Sequence, residues 1–422
     1  MKRGPLDTVW TALVLLVGAG LAGGLGACEV TIPSSPANGS GGSQNLPAQG
    51  GAGGSTAAGQ GGQAQAAGGA TGIAGATGSG GVGSGGKIGG AGAGGAVTGG
   101  GGRLGAAGAT GAGGAASADQ VFSQCRFHFG TLDTVAKSSP TIIAQLDFFT
   151  PGWMGSSDTF NMQGVCNDAK AGGVLGNQVP MIVSYVAAFY AKRHDNLKDC
   201  NAPGAQQDLC VVGAGYINQN LAAIVAIYET YAQGFAGCYG TTRPIIFMME
   251  PDYYQYTISS QTQPWTPAFA GQTMSQFVGA IKKHLPNAVF SLDISPWVGP
   301  NNGGDNGKSW YSNFDMSLFT FLNTSGGGTD ASAVKIRAGN DMTWAGVSQV
   351  TGKLILADTG YGVNGGPAGP DTAWDAPANI NARIADGVVS ISQYNPITAT
   401  TNNWGNTIAA VRPQLNAPSR CP

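Results

Sequence analysis

Eight short apolar runs within residues 119–422 constrain the fold of this chain more than any other feature of its sequence. Each run is about as long as one β-strand, and six of the eight end in Asp, Glu, Asn or Gln. Apolar runs without alternation are typical of strands that are buried on both faces, as in parallel sheets. The runs are Phe127–Asp133, Ile142–Phe149, Pro180–Tyr190, Ile245–Glu250, Ala288–Asp293, Leu318–Asn323, Lys353–Asp358 and Val388–Gln393.

Helical patterns lie between these runs. The clearest covers residues 216–235, where Ile217, Leu221 and Ile224 recur at helical spacing. Shorter patterns cover residues 274–285, 344–350 and 380–385. Strands that alternate with helices in this way predict an α/β domain at residues 119–422, a (β/α) barrel of seven or eight parallel strands, TIM-like or distorted. An open, doubly wound sheet is the alternative.

Residues 1–28 have the pattern of a signal peptide. A positive start at residues 1–3 precedes an apolar stretch at residues 9–25. The following Leu25-Gly26-Ala27-Cys28 resembles a bacterial lipobox, in which the cysteine becomes the lipid-carrying N-terminus. We therefore expect export, lipidation at Cys28, and anchoring in the lipid bilayer of the cell envelope, at the outer membrane or the cell surface. The alternative is an ordinary signal peptide that is cut near Ala27.

Residues 29–118 form a second predicted segment, a linker. Between Val30 and Ala118 the sequence is dominated by Gly and Ala and contains no acidic residue, no aromatic residue and no cysteine. Such a segment cannot bury enough apolar surface to offset the entropy that ordering costs. We therefore predict a disordered Gly/Ala-rich linker that lets the domain of residues 119–422 work away from the membrane.

The charge of the chain restricts its partners. The net charge is −2 and the pI is near 5.9, which gives no basic surface for nucleic acid. An uncharged polymer is a more suitable partner. The three histidines lack the spacing of metal ligands, so we predict no metal and no cofactor. We expect the protein to act as a monomer.

Six cysteines follow Cys28, and an even number in an exported protein predicts up to three disulfides. The short spacing between Cys200 and Cys210 makes them the first predicted pair, and Cys421 would tie down the C-terminus. The six are Cys125, Cys166, Cys200, Cys210, Cys238 and Cys421.

The fourth apolar run leads directly into two carboxylates. Pro251 ends the strand, and Glu250 and Asp252 flank it. Residues two apart in an extended strand share a face, so we predict that Glu250 and Asp252 form a coupled acid pair at the barrel mouth. A neighbouring carboxylate is one way to keep a proton donor protonated near neutral pH.

In a barrel, the carboxyl ends of all strands meet on one face, which carries the chemistry. The acids expected there are Asp133, Asp147, Glu250, Asp252, Asp293 and Asp358. Aromatic rings, which stack on sugars, and amides, which bond to hydroxyls, would surround them as substrate-binding groups; these are Trp153, Tyr185, Tyr253, Tyr254, Trp297, Asn323 and Gln393. We expect Asp147 to contact the substrate as well. This combination favours glycoside hydrolysis, which needs a proton donor and a second carboxylate.

The same strand ends resemble glycoside hydrolase family 6, the inverting cellulases. Glu250–Asp252 is similar to the family's Glu-Pro-Asp motif, and Leu292–Asp293 is similar to its Leu-Asp motif, with Trp297 following. Asn323–Thr324 falls where the family has a Thr-Asn pair, and Asp358–Gly360 resembles its Asp-Gln-Gly segment. These motifs stand in the family's order along about 110 residues.

The resemblance implies roles for the acids. Asp252 would be the general acid, Asp293 would line the substrate subsite, and Asp358 would be the base or its electrostatic partner. Tyr185 matches the family's cleft tyrosine, but the segment whose acid supports the proton donor has no match. We therefore expect an exported, membrane-tethered hydrolase that cleaves β-glycosidic bonds of a polysaccharide, cellulose or a related β-glucan, with inversion.

Two alternatives remain open at this point. Retaining barrel glycosidases place an acid/base after the fourth strand and a nucleophile after the seventh, which would assign those roles to Glu250 and Asp358. Carboxyl groups about 5–5.5 Å apart would indicate retention, and about 6.5–9.5 Å would indicate inversion. The other alternative is a carbohydrate-binding surface lipoprotein without catalytic activity, which the missing supporting acid favours.

Overall fold

The computed structural model describes residues 121–122, 124–198, 208–258, 260, 262–295, 297–298, 303–324, 329–337, 340–359, 371–396 and 404–420. The predicted signal peptide, the lipidation site Cys28 and the predicted linker lie outside the described residues, as do Cys200 and Cys421.

Eight parallel strands form a closed barrel. They are β1 His128–Leu132, β2 Phe148–Thr150, β3 Val179–Ser184, β4 Ile245–Met249, β5 Ala288–Asp293, β6 Phe321–Asn323, β7 Leu354–Thr359 and β8 Val388–Gln393. Successive strands pair with one another, and the pairing of β8 with β1 closes the ring. A two-residue strand, Trp153–Met154, also pairs with the end of β3. The predicted barrel is confirmed, and the open sheet is wrong.

Helices surround the barrel. They are α1 Asp133–Lys137, α2 Pro140–Ile143, α3 Gln163–Ala169, α4 Val186–Asp195, α5 Leu209–Cys238, α6 Tyr253–Thr257, α7 Pro267–Lys282, α8 Lys308–Tyr311, α9 Trp344–Thr351, α10 Pro377–Ala385 and α11 Trp404–Val411. Short 3-10 helices lie at Met316–Leu318, Thr372–Asp375 and Arg412–Gln414. Polar side chains begin the two longest helices, because Asp208 accepts the amide of Val211 and Thr266 accepts the amide of Phe269.

Two predicted strands have different bounds in the structure. The second run begins with α2, since Pro140 at a first helical position favours a helix, and β2 starts only at Phe148. The third run breaks after Ser184, and α4 begins at Val186, where several alanines favour helix. In both cases, residues that were expected within a strand lie outside it, before β2 or after β3.

The core has two parts, one inside the barrel and one between the barrel and the helices. The side chains of Phe148, Met181, Ile246 and Phe321 fill the interior of the barrel, and all four are buried. Gly130 leaves room for this packing, because a Cβ atom there would lie 2.1 Å from the Phe148 ring. The outer part of the core packs the helices on the opposite faces of the strands.

Residues 121–122 close the N-terminal end of the barrel. The ring of Phe122 stacks on His128 with a centroid distance of 4.1 Å. It also lies 5.8 Å from Phe148 and 6.0 Å from Phe321. These three residues begin β1, β2 and β6, so Phe122 fills the floor of the barrel, opposite the mouth.

Helix α5 is the longest in the described part of the chain. Its 30 residues are long and apolar enough to cross a membrane by length and composition alone. In the fold, Ile217, Ile224, Tyr228 and Phe235 are buried. Val212 and Leu221 are only half-buried, and 28% of the most apolar window is buried, so packing accounts for part of the apolar composition of α5.

Disulfides link the outer layer. Cys166 on α3 and Cys238 at the end of α5 form a bridge across 72 residues of sequence. Cys125 and Cys210 are disulfide-bonded as well. The prediction of disulfides is confirmed for these cysteines, whereas the predicted pairing of Cys210 with Cys200 involves a residue outside the described ranges.

Candidate active site

A tight turn after β4 separates the two central carboxylates. The strand ends at Met249, and Glu250 (φ 37°) and Asp252 (φ 66°) adopt left-handed backbone conformations on either side of Pro251. Such conformations are uncommon for residues other than glycine, and they cluster at functional sites. The turn sends the two side chains to different partners, so the predicted acid pair on one face is wrong.

Glu250 lies behind the barrel wall instead of at the mouth. It is 0% exposed, and its Oε1 atom accepts hydrogen bonds from the amide of Ala187 (2.9 Å) and the hydroxyl of Tyr228. Ala187 is in the first turn of α4, whose free amides favour a carboxylate. Burial raises the pKa of Glu250 from 4.5 to about 7, although the bonds from Tyr228 and the α4 amides oppose this shift.

Asp252 is partly exposed and sits beside two phenols. Its Oδ2 atom accepts a hydrogen bond from the hydroxyl of Tyr185 (3.0 Å), and this hydroxyl also bonds to that of Tyr256. Because Tyr185 has a single hydroxyl proton, which goes to Asp252, Tyr256 is the donor in the second bond. Two tyrosines thus flank Asp252, for which the sequence provided no supporting acid.

An aromatic wall stands next to Asp252. It consists of Trp153, Tyr185 and Phe189, whose rings meet edge to face with centroid distances between 5.2 and 6.4 Å. Trp153 is partly exposed, whereas Tyr185 is mostly buried. Aromatic rings of the kind that was predicted for sugar binding are therefore gathered near the end of β3.

Asp293 and Asn323 end neighbouring strands side by side. They are paired in the register of β5 and β6, and both are almost fully buried. The hydroxyl of Ser291, two residues before Asp293 on the same face, donates to Asn323 Oδ1 (2.8 Å). This bond fixes the amide and leaves Asn323 Nδ2 buried without a partner. A substrate oxygen is one group that could satisfy such a donor.

Asp358 is fixed to the end of the neighbouring strand. Its Oδ1 atom accepts a hydrogen bond from the hydroxyl of Thr324 (2.7 Å), and its backbone N–H donates to the same hydroxyl oxygen (2.9 Å). Asp252, Asp293, Asn323 and Asp358 therefore stand at the carboxyl ends of four consecutive strands, β4 to β7.

Two further acids near this edge were missed in the sequence. Asp371 accepts a hydrogen bond from the hydroxyl of Thr359 (3.1 Å), and Asp375 accepts one from the side-chain amide of Gln393 (3.1 Å). Burial raises the pKa of both carboxyl groups above the ordinary value. Both lie in a segment after β7 that belongs to no apolar run. The one local signal was that Asp371 can cap a helical turn, as it does by accepting the amide of Ala373.

Asp147 is not at the mouth. It precedes β2 at the N-terminal end of the barrel, where it forms ion pairs with Arg126 (2.6 Å) and Arg412 (3.1 Å). Burial alone would raise the pKa of Asp147, but His128 and the two arginines hold it well below its ordinary value. The predicted substrate contact of Asp147 is wrong, because an acid that precedes a parallel strand lies opposite one that follows it.

The remaining predicted residues divide into buried and accessible ones. Tyr253 is 2% exposed and its hydroxyl donates to the carbonyl of Ala270 (3.0 Å), so it packs instead of facing a substrate. Tyr254 is partly exposed and meets Trp310 edge to face at 5.1 Å. Trp297 is partly exposed as well. The predicted sugar contact of Tyr253 is therefore wrong, and those of Tyr254 and Trp297 remain predictions.

The mouth offers carboxylates, an amide and aromatic rings. Within the described ranges, no group of three or more His, Cys, Asp or Glu side chains is arranged to hold a metal ion. Such a set of groups can donate a proton, accept a proton from water, and bond to hydroxyl groups.

No protein family model matches the chain, and no curated protein matches it. Solved structures with similar folds include a GH5-4 broad specificity endoglucanase from an uncultured bacterium, with 13% identity over 68% of this chain and 85% of that chain and a TM-score of 0.42. GH26C from Muricauda sp. has 12% identity over 72% and 90%, with a TM-score of 0.43. The carboxyl transferase domain of pyruvate carboxylase from Rhizobium etli has 12% identity over 71% and 49%, with a TM-score of 0.37. Similarity at this level carries no argument about activity.

Proposed function

We propose that this protein is an exported, lipid-tethered glycoside hydrolase that cleaves β-glycosidic bonds of cellulose or a related β-glucan with inversion. Asp252 donates the proton, Asp358 acts as the base or its electrostatic partner, and Asp293 and Asn323 bind the sugar. The observation that carries this proposal is that Asp252, Asp293 and Asp358 stand at the carboxyl ends of β4, β5 and β7, with Asp252 beside the aromatic wall.

Asp252 suits the role of proton donor because it is accessible. A general acid must come within hydrogen-bond distance of the leaving oxygen. Asp252 is partly exposed next to the aromatic wall, whereas Glu250 is 0% exposed behind it. This difference favours Asp252 over the retaining scheme, in which Glu250 would have to reach the same oxygen.

The strand positions are common to inversion and retention, because Glu250 and Asp252 both follow β4 and Asp358 lies on β7. The proposal of inversion rests on the resemblance to family 6 and on the burial of Glu250, which the retaining scheme would need at the cleft. Inversion requires room for a water molecule between the two carboxyl groups.

The charges at the mouth favour an uncharged substrate. Asp252, Asp293 and Asp358 would repel an anionic polysaccharide, and the net charge of the whole chain is −2. The lipid anchor and linker predicted from the sequence would hold the domain at the cell surface, where a polymer too large to enter the cell is accessible.

The test replaces the proposed proton donor in the full-length protein. Asp252→Asn is expected to abolish release of reducing ends from β-glucan while it retains binding, because the amide keeps the shape but cannot donate the required proton. Glu250→Gln is the matched control and is expected to retain turnover. NMR of the first-formed anomer then reports inversion or retention.

Each outcome decides between the candidates. Full turnover by Asp252→Asn together with loss in Glu250→Gln would move the acid role to Glu250 and favour retention. No turnover of any glycan by the wild-type protein, with retained binding to an insoluble glycan, would replace the hydrolase by a binding protein.

A further inference from the structure

A groove lies on the rim of the mouth, beyond Asp252, Asp293 and Asp358, and it is lined by Asp133, the acid that follows β1. Its volume is about 330 Å³, at the lower end of the range for small-ligand sites, about 300–1,000 Å³. It runs between the ends of β1 and β2 on one side and α3 on the other. The lining residues used below are Asp133, Lys137, Trp153, Asn161, Gly164 and Asp168.

Trp153 joins this groove to the proposed proton donor. Trp153 lines the groove, and the centroid of its ring lies 5.2 Å from that of the Tyr185 ring. The hydroxyl of Tyr185 is in turn 3.0 Å from Asp252. A single tyrosine ring therefore separates Asp252 from the wall of the groove, so one extended ligand can reach both.

The other lining groups fix the charge of a suitable ligand. Lys137 is paired with Asp133 (3.0 Å) and with Asp168 (2.7 Å), so the three side chains together carry a net charge of −1. The groove therefore has no cation left over to bind an acidic sugar. Exposed Asn161 also lines the groove. Its Nδ2 donates to Ser156 (3.0 Å) and its Oδ1 accepts from Tyr231 (2.7 Å), which leaves one amide hydrogen and one lone pair for sugar hydroxyl groups.

We infer that this groove is an outlying subsite for an uncharged sugar residue of the same glycan that is cleaved at Asp252. The inference rests on the proposed function for the identity of the ligand. An aromatic wall and polar groups without a free cation are what a neutral sugar ring requires. A chain long enough to reach the groove binds better than a short one, whereas the bond that is cleaved stays at the mouth.

Gly164 allows the groove to be filled without disturbing the fold. It is exposed on α3, and an added Cβ atom there would meet no atom within 4 Å. Gly164→Leu therefore places an apolar side chain at the edge of the groove. Gly279 on α7 is exposed with equally open surroundings, and Gly279→Leu is the matched control away from the groove.

The experiment compares a long with a short substrate in the full-length protein. For Gly164→Leu, kcat/KM on cellohexaose is expected to fall about tenfold, the loss of roughly one good ring contact, while kcat/KM on cellotriose stays the same. Gly279→Leu is expected to match the wild type on both. Trp153→Ala is expected to lower kcat/KM on cellohexaose at least as much. If the ratio of kcat/KM on cellohexaose to kcat/KM on cellotriose is the same in Gly164→Leu as in the wild type, the subsite is wrong.

A binding measurement separates this inference from the proposed function. Calorimetry of cellohexaose in the Asp252→Asn background should show affinity that Gly164→Leu weakens, and hexagalacturonate should not bind. If the wild type hydrolyses no glycan but this weakening is present, the subsite stands and the hydrolase fails. If hydrolysis is present but neither turnover nor binding responds to Gly164→Leu, the subsite fails and the hydrolase stands.

Discussion

Replacing Glu250 by Gln should remove a pH dependence that this residue imposes on the stability of the barrel. The Glu250 carboxyl is fully buried, and burial raises its pKa from 4.5 to about 7. The folded state therefore holds a proton on Glu250 at pH values where the unfolded chain has released it. Gln cannot ionise in either state, so the variant lacks this effect.

The size and sign follow from the two pKa values. A folded pKa above the unfolded one stabilises the protein fully below pH 4.5, and this contribution is lost as the pH rises through 7. Each pKa unit corresponds to about 1.4 kcal/mol, so the loss amounts to about 3 kcal/mol. Relative to Glu250→Gln, the wild type should therefore lose about 3 kcal/mol of unfolding free energy between pH 4.5 and 7, with a plateau above.

Urea unfolding from pH 4 to pH 9, on both proteins, measures this difference. The amide has a fixed cost of its own, since it replaces Glu250 Oε2, an atom that is buried without a partner. That cost does not change with pH and cancels when only the pH trend is compared. Only the trend tests the reasoning.

Half-buried Glu229, which is also on α5, provides the control. The hydrogen bonds that it accepts from Lys283 and His284 lower its pKa, which is the opposite direction. Glu229→Gln should therefore not reproduce the trend between pH 4.5 and 7. The assignment of a raised pKa to Glu250 would be refuted if the unfolding free energy of the wild type, relative to Glu250→Gln, stayed constant or rose between pH 4.5 and 7.

Three further predictions concern stability. Asp147→Asn should lower the unfolding free energy by about 3 kcal/mol at pH 7, since it removes the partner of two arginines. The difference should shrink as the pH falls below 3.8, because the unfolded chain then binds a proton at Asp147 while the folded state, whose pKa is lowered, keeps the carboxylate ionised; urea titrations at pH 7 and at low pH check this, and equal losses would contradict it. Gly130→Ala should cost about 3 kcal/mol because its Cβ would meet the Phe148 ring at 2.1 Å, and an unchanged Tm would contradict it. Removing Cys166 and Cys238 together should cost about 2–4 kcal/mol by urea unfolding, since the bridge closes a loop of 72 residues; an unchanged midpoint would show that the bridge adds nothing.

The barrel could be predicted from the sequence because its strands are buried on both faces. A run such as Ala288–Asp293 must be apolar throughout, and it then ends abruptly where the strand leaves the core. The same argument placed Asp293 and Asp358 at one face, and both lie there. The strand pattern thus predicted the acids that follow an apolar run within the sheet.

The orientation of individual side chains could not be predicted in this way. An acid next to an apolar run can lie at either end of a strand, and the helix at Pro140–Ile143 moved Asp147 to the opposite end. Glu250 turned away from the mouth because of a left-handed backbone conformation that no local pattern encodes. Its partner Tyr228 and the Asp252 partner Tyr185 come from distant parts of the chain, so these contacts appear only in the folded structure.

The Phe122 ring in the floor of the barrel ties the beginning of the domain to three strands at once. It packs against the starts of β1, β2 and β6. Tension applied at Phe122 would therefore bear first on the floor of the barrel, whereas Asp252 and Asp358 stand at the opposite ends of their strands. We expect a tether at this end to leave the approach to the mouth open.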